Sequence, residues 1–258
     1  MTDELRLAGY REPLGLWVRK GTRIATRPEL RIQELEFSSR GDRVTGRAIL
    51  PEGGGPYPLV LVQHALGDSA AGVLEAIGTG WVESAAAVAA IDFPLHGARA
   101  DQKLLRLLCD GRDPDPRRAA LALEVARQAV IDLERAIDAL AATAWIDGER
   151  IAYVGFGLGA RLGSAFCALD PRVAAAVLAP DVEGAVPALP DPARYLRRIA
   201  PRPLLLVGAR RDARNGANAR FEVPGERVEQ VWFDAGTPEL PGVAAEAIWE
   251  FLARSLGL

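Results

Sequence analysis

From residue 58 onward, short apolar runs alternate with longer amphipathic or alanine-rich segments, and few folds accommodate that rhythm. A strand buried on both faces reads as a continuous apolar run, and a helix that covers it shows a repeat near 3.6, so the alternation predicts a parallel sheet covered by helices. The runs lie at 58–63 (PLVLVQ), 87–92 (AVAAID), 151–155 (IAYVG), 173–178 (VAAAVL), 203–207 (PLLLV) and 228–233 (VEQVWF). Between the second and third, Ala126, Val130, Leu133, Ile137 and Leu140 recur at helical spacing across 117–144, opposite Glu124, Gln128, Asp132 and Asp138. Upstream, RIQELEFSSRGDRVTGRAILP alternates polar and apolar residues about a turn at Arg40, Gly41 and Asp42, which predicts an antiparallel pair. The fold class expected is α/β: a mostly parallel, doubly wound sheet of about eight strands with an antiparallel start.

A chain of 258 residues, 49% of them apolar, can bury one sizeable core, so 1–258 reads as one domain with residues 1–30 as an N-terminal extension. Segments 100–118 and 180–200 are candidate small caps. A net charge of -3 and a pI near 5.6 give no electrostatic reason to expect nucleic acid or an anionic membrane. A small neutral or mixed-character ligand is the expected partner; oligomeric state is not legible. Cys109 and Cys167 lack the neighbours of a metal site, so no metal and a reduced, cytoplasmic setting are expected. No signal peptide or membrane span is read. The dominance of arginine over lysine, with abundant alanine, suggests a G+C-rich, bacterial coding sequence.

In open α/β sheets ligands collect at the carboxyl ends of strands. Three segments there stand out: His64-Ala65-Leu66-Gly67-Asp68-Ser69, Phe93-Pro94-Leu95-His96-Gly97-Ala98-Arg99, and Gly155-Phe156-Gly157-Leu158-Gly159 leading into an alanine-rich helix. In this order they resemble the α/β-hydrolase superfamily, particularly its dienelactone-hydrolase and acetyl-xylan-esterase-like members, over about residues 30–258. The resemblance implies that the first segment is the loop that helps form an oxyanion hole, the second a PGHG-like turn and the third the G-x-S-x-G nucleophile elbow. Leu66 and Leu158 then supply the oxyanion-hole amides, with His64 beside them. The central elbow position, however, is Gly157, which has no nucleophile. The acid position falls on Asp212 in PLLLVGARRD, and the histidine position on Thr237 in VWFDAGTPELPG. The chain's only histidines, His64 and His96, both precede the elbow, so no imidazole base can follow it in the family's order. Ordinary serine-hydrolase turnover is therefore not expected.

Several residues admit a plainer reading. His64 and His96 read as satisfied loop histidines before they read as bases, although a turn beyond a strand end could aim His96 into the pocket. Asp92, Asp181 and Asp212 read as turn or cap residues. Ser69 lies off the elbow, and Ser164 and Cys167 fall in the following helix as core. The run 103–109 (KLLRLLC) reads as a pocket lip or a buried helix turn, and 184–200, with Tyr195, as a possible cap. IAYVGFGLGA also fits a G-x-G-x-x-A dinucleotide fingerprint at 155–160, with Asp181 as its acid, implying NAD(P). The late position of the motif disfavours that reading, and no cofactor is expected. The leading expectation is a non-hydrolytic descendant, a pseudoenzyme that binds a small ester- or carbonyl-like molecule at the strand ends. The alternatives are an enzyme of unusual mechanism (lyase, isomerase or weak esterase) using the oxyanion hole with His96 or Asp212, and an interaction protein with a vestigial pocket.

Overall fold

In the computed structural model of the protein, residues 12–21, 27, 30–83, 86–109, 115–180, 189, 191–211, 227–236 and 239–258 are described. In chain order the elements are β1 (Trp17–Lys20), β2 (Arg31–Ser39), β3 (Asp42–Leu50), β4 (Tyr57–Gln63), α1 (Ala70–Ile77), α2 (Gly80–Glu83), β5 (Ala87–Ile91), α3 (Gln102–Cys109), α4 (Pro116–Ala141), β6 (Ile146–Phe156), α5 (Leu158–Leu169), β7 (Val173–Ala179), α6 (Ala193–Ile199), β8 (Leu204–Ala209), β9 (Val228–Phe233), α7 (Leu240–Val243) and α8 (Ala245–Leu256). A short 3-10 turn, Gly97–Arg99, follows β5.

The strands form one nine-stranded sheet in the order β1-β2-β3-β5-β4-β6-β7-β8-β9. Pairings among β1, β2, β3 and β5 are antiparallel, and all those from β5 through β9 are parallel. In β4, Leu59 and Leu61 face one layer while Val60 and Val62 face the other. The first layer holds Val125, Leu133 and Ile137 of α4, Leu162 and Phe166 of α5, and Leu196 of α6. The second holds Val73 and Leu74 of α1 with Ile248, Phe251 and Leu252 of α8. Burial of both faces explains why the central strands read as unbroken apolar runs.

Four expectations change in detail. The sheet has nine strands rather than about eight, because Trp17–Lys20, within the stretch read as an extension, pairs with β2 from Trp17↔Glu36 to Lys20↔Gln33. β6 starts at Ile146 rather than 151: Ile146 and Asp147 pair with Tyr57 and Pro58 before the register shifts. α4 ends at Ala141, three residues short of the expected 144, and starts under an Asp115 cap that accepts from the Arg117 N–H. Gln128 and Asp132, expected on the outer face of α4, are buried. Their polar groups are matched inside by partners from distant segments, which lets them lie inward.

In the stretch read as a lip, α3 buries only Leu108 and leaves Leu107 exposed. Residues 181–188 of the other candidate cap lie outside the described residues. In the part that is described, α6 packs Leu196 and Ile199 into the core beneath it, with Tyr195 half-buried alongside.

Candidate functional site

The topology singles out one place on the rim of the sheet. β4 leads to β5 on one side, whereas its other neighbour, β6, leads to β7 in the opposite direction. The chain therefore diverges at the carboxyl ends of β4 and β6, and such a switch point leaves a crevice. The turn after β4 carries His64 and Leu66, and the turn after β6 carries Gly157.

Gly157 passes the chain from β6 into α5 at φ 52°, ψ -111°. A side chain is strained at this φ, whereas glycine is not. On either side of it, glycine is required by close approach. A Cβ on Gly155 would lie 2.5 Å from the Gly159 carbonyl carbon, and one on Gly159 would lie 2.6 Å from the Gln63 carbonyl oxygen. One turn further, Gly163 accommodates the Tyr153 ring, whose hydroxyl donates to the Gly159 carbonyl at 2.7 Å. The Gly157 N–H donates to the Ala179 carbonyl at 2.8 Å and the Gly159 N–H to the His64 carbonyl at 3.0 Å. Leu158, the first residue of α5, has no acceptor within the helix for its N–H. Among the described residues none accepts from it or from the Leu66 N–H.

No family model matches the chain, and no curated protein matches it in sequence. Solved structures do match it in shape. The acetyl xylan esterase of a Paenibacillus species superposes with a TM-score of 0.72 at 19% identity, covering 95% of this chain and 90% of its own. Acetyl xylan esterase 1 of a Thermoanaerobacterium species gives 0.69 at 16% identity, covering 93% and 88%. A structure assigned as a dienelactone hydrolase, from Klebsiella pneumoniae subsp. pneumoniae, gives 0.63 at 16% identity, covering 88% and 98%. The chain has the α/β-hydrolase fold.

Within this hydrolase fold, the histidines lie inside the two preceding turns. His64 is fully buried; its Nδ1–H donates to the Ala65 carbonyl at 2.8 Å and its Nε2 accepts the Phe93 N–H at 3.2 Å. That arrangement assigns the neutral tautomer. Burial lowers the pKa of His64 from 6.5 to about 4, outweighing the opposing hydrogen bond to Ala65. His96 packs its ring 5.1 Å from that of His64. Its Nδ1–H donates to the Pro94 carbonyl at 2.8 Å, while its Nε2 is buried without a partner. Burial lowers this pKa too.

Two cavities of about 470 and 500 Å³ flank the turn after β5, lined in part by Thr45, Asp92, Ala98 and Arg99. Neither includes His96, which points inward against His64 rather than into a described cavity. Pro94-Leu95-His96-Gly97 also departs from the PGHG pattern it resembles: Leu95 holds φ 68° where that pattern has glycine.

Asp92 has its carboxylate fully engaged. Oδ1 accepts the Ala70 N–H at 2.9 Å, and Oδ2 accepts the Thr45 hydroxyl at 2.9 Å and the Ala98 N–H at 3.0 Å. The position joins the amino end of α1 to β3 and to the 3-10 turn. Arg99 donates to the Asp92 carbonyl, to Asp132 Oδ2 at 2.6 Å and to Asp42 Oδ2 at 3.1 Å. Asp132 also accepts from Gln128 Nε2 at 2.7 Å; burial raises its pKa, against the pull of Arg99.

Ser69 caps α1 by accepting the Gly72 N–H, which is worth about 1 kcal/mol at such sites. Ser164 donates to the Arg161 carbonyl, and Cys167 is fully buried, its thiol pKa pushed up by desolvation. Neither hydroxyl nor thiol lies at the elbow. Asp181, Asp212 and Thr237 lie outside the described residues.

For the dinucleotide reading the geometry is unhelpful. A pyrophosphate needs free amides in the glycine turn, and those of Gly157 and Gly159 are already spent on Ala179 and His64. Among the described residues no group of three or more His, Cys, Asp or Glu side chains could hold a metal ion, and no helix is long and apolar enough to cross a membrane.

One polar residue at the switch point escaped the sequence reading. Gln63, the last residue of β4, is fully buried, and neither its Oε1 nor its Nε2 has a partner. The only hint was a polar residue closing the apolar run PLVLVQ.

Proposed function

We propose that the protein is a non-hydrolytic α/β-hydrolase-fold protein that binds a small organic molecule with an ester- or carbonyl-like group at the switch point. The observation that carries the reading is Gly157. The elbow keeps its backbone turn and its close-packed flanking glycines, yet the position that would present a nucleophile has no side chain. The sequence supports it independently, since no histidine follows residue 96. Without hydroxyl, thiol or imidazole at the turn, neither covalent attack nor its general-base activation is available. The Leu66 and Leu158 amides would hold a carbonyl oxygen by hydrogen bonds, as an oxyanion hole does, but with no bond-breaking step behind them. The similar structures named as esterases and as a dienelactone hydrolase favour an ester-like or lactone-like ligand class.

The test is incubation with short p-nitrophenyl esters, with free p-nitrophenol as the readout. No turnover above the buffer rate is expected. Release at the rate of an ordinary esterase, unchanged by Gly157→Ala, would sink the proposal.

A further inference from the structure

Stripping water from a polar atom without giving it a new partner costs free energy, so folded proteins seldom leave such atoms unpaired. Three of them belong to two side chains at the strand ends: Gln63 Oε1, Gln63 Nε2 and His96 Nε2. Gln63 pairs with Gly155 in the sheet, and Gly159 of α5 packs directly against it. The next residue, His64, stacks its ring on that of His96. The unpaired atoms thus belong to the end of β4, against the first turn of α5, and to the turn after β5, where Leu158 also leaves its N–H open.

We infer that Gln63 and His96 form the polar floor of the ligand site, and that the group they read is a primary carboxamide. This rests on the binding function proposed above and narrows its ligand class. Gln63 offers one donor group and one acceptor. His96 offers only an acceptor at Nε2, because its proton sits on Nδ1 and is given to Pro94. Burial keeps the ring neutral. The site therefore needs two donors from the ligand, alongside an acceptor for Gln63 Nε2 and for the Leu158 N–H. An ester or an ionised carboxylate brings acceptors only, and a hydroxyl brings a single donor. A primary carboxamide brings two N–H donors and one carbonyl oxygen with two lone pairs, which matches the set. It also carries no charge into a buried site, where a charge would be penalised.

The experiment uses the full chain and two probe series: acetamide, methyl acetate and acetate, then benzamide, methyl benzoate and benzoate. Binding is read by titration NMR at neutral pH. In at least one series the amide is expected to bind about tenfold more tightly than its ester and its acid. Gln63→Met, which keeps the length of the side chain and removes its amide, is expected to erase that preference and to raise the thermal midpoint by relieving an unpaired polar group. If Gln63→Met lowers the midpoint and leaves the preference intact, the amide of Gln63 is structural and the inference fails. It also fails if amide, ester and acid bind alike, or if none binds, and this comparison needs no variant to fold. Neither result touches the non-hydrolytic reading, which depends on the absence of ester turnover.

Discussion

The turns after β5 and β6 stand on the same rim of the sheet and are held in opposite ways. After β5, polar groups do the holding. Asp92 accepts three hydrogen bonds from three segments, and Arg99 ties the same turn to buried Asp132. After β6, contact does the holding. Gly155 and Gly159 let backbone press on backbone, and Gly157 contributes no polar side chain at all. The difference teaches where function can reside. A turn held by its own hydrogen bonds has none left for a ligand, whereas one held by packing leaves Leu158 and Gln63 open.

The largest expected effect comes from breaking the polar turn. Asp132→Ala strands the Arg99 guanidinium, 9% exposed, beside a cavity, and is expected to cost about 3–5 kcal/mol. The check is the urea midpoint at constant m. A loss below about 1 kcal/mol would mean that this turn is not held by its charges.

Next comes acid, which acts where the β4 and β5 turns meet. His64 titrates near 6.5 when unfolded and near 4 when folded, so the folded state binds fewer protons. Stability is therefore complete above the unfolded value, declines as pH falls through 6.5, and has lost the whole contribution below 4. By pH 5 the loss is about 2 kcal/mol. His96, also lowered, adds in the same direction, while the raised pKa of Asp132 opposes it. Denaturation curves from pH 7 to pH 5, compared between the native chain and His64→Gln, isolate the histidine. A slope that is the same in both would contradict its burial as a neutral ring.

The smallest effect is at the packed turn. Gly157→Ser is expected to cost about 1 kcal/mol, because serine must take a positive φ. It is expected to give no acyl-enzyme burst with p-nitrophenyl acetate, because no imidazole follows the elbow. A burst in this single variant would show that some other base reaches position 157.

Most of the sheet was legible because strands covered on both sides need apolar residues at every position. β4, β5, β7 and β8 fall within two residues of their expected limits, and β9 coincides with them. β1 was not legible. It is a mostly exposed edge strand, Trp-Val-Arg-Lys, and main-chain pairing to β2 leaves little hydrophobic pattern to read. The inward turn of Gln128 and Asp132 was hidden for a related reason. Their partners, Ser39 and Arg99, are contributed from far along the chain, and helical spacing carries no information about them.

At the site, the glycine frame of the elbow was visible since close approach constrains residue type directly. Gln63 was nearly invisible, since a single polar residue at a strand end is ordinary until the structure shows that it lacks partners.

The packing of Gly155 and Gly159 has a consequence for how such a chain changes over generations. Both glycines are held by steric demand alone, so selection for a folded protein preserves them even when no reaction is under selection. The frame of the old turn can thus outlast its chemistry, and the three glycines of 155–159 record separate histories: two report what the fold tolerates, and the one between them reports what the protein no longer does.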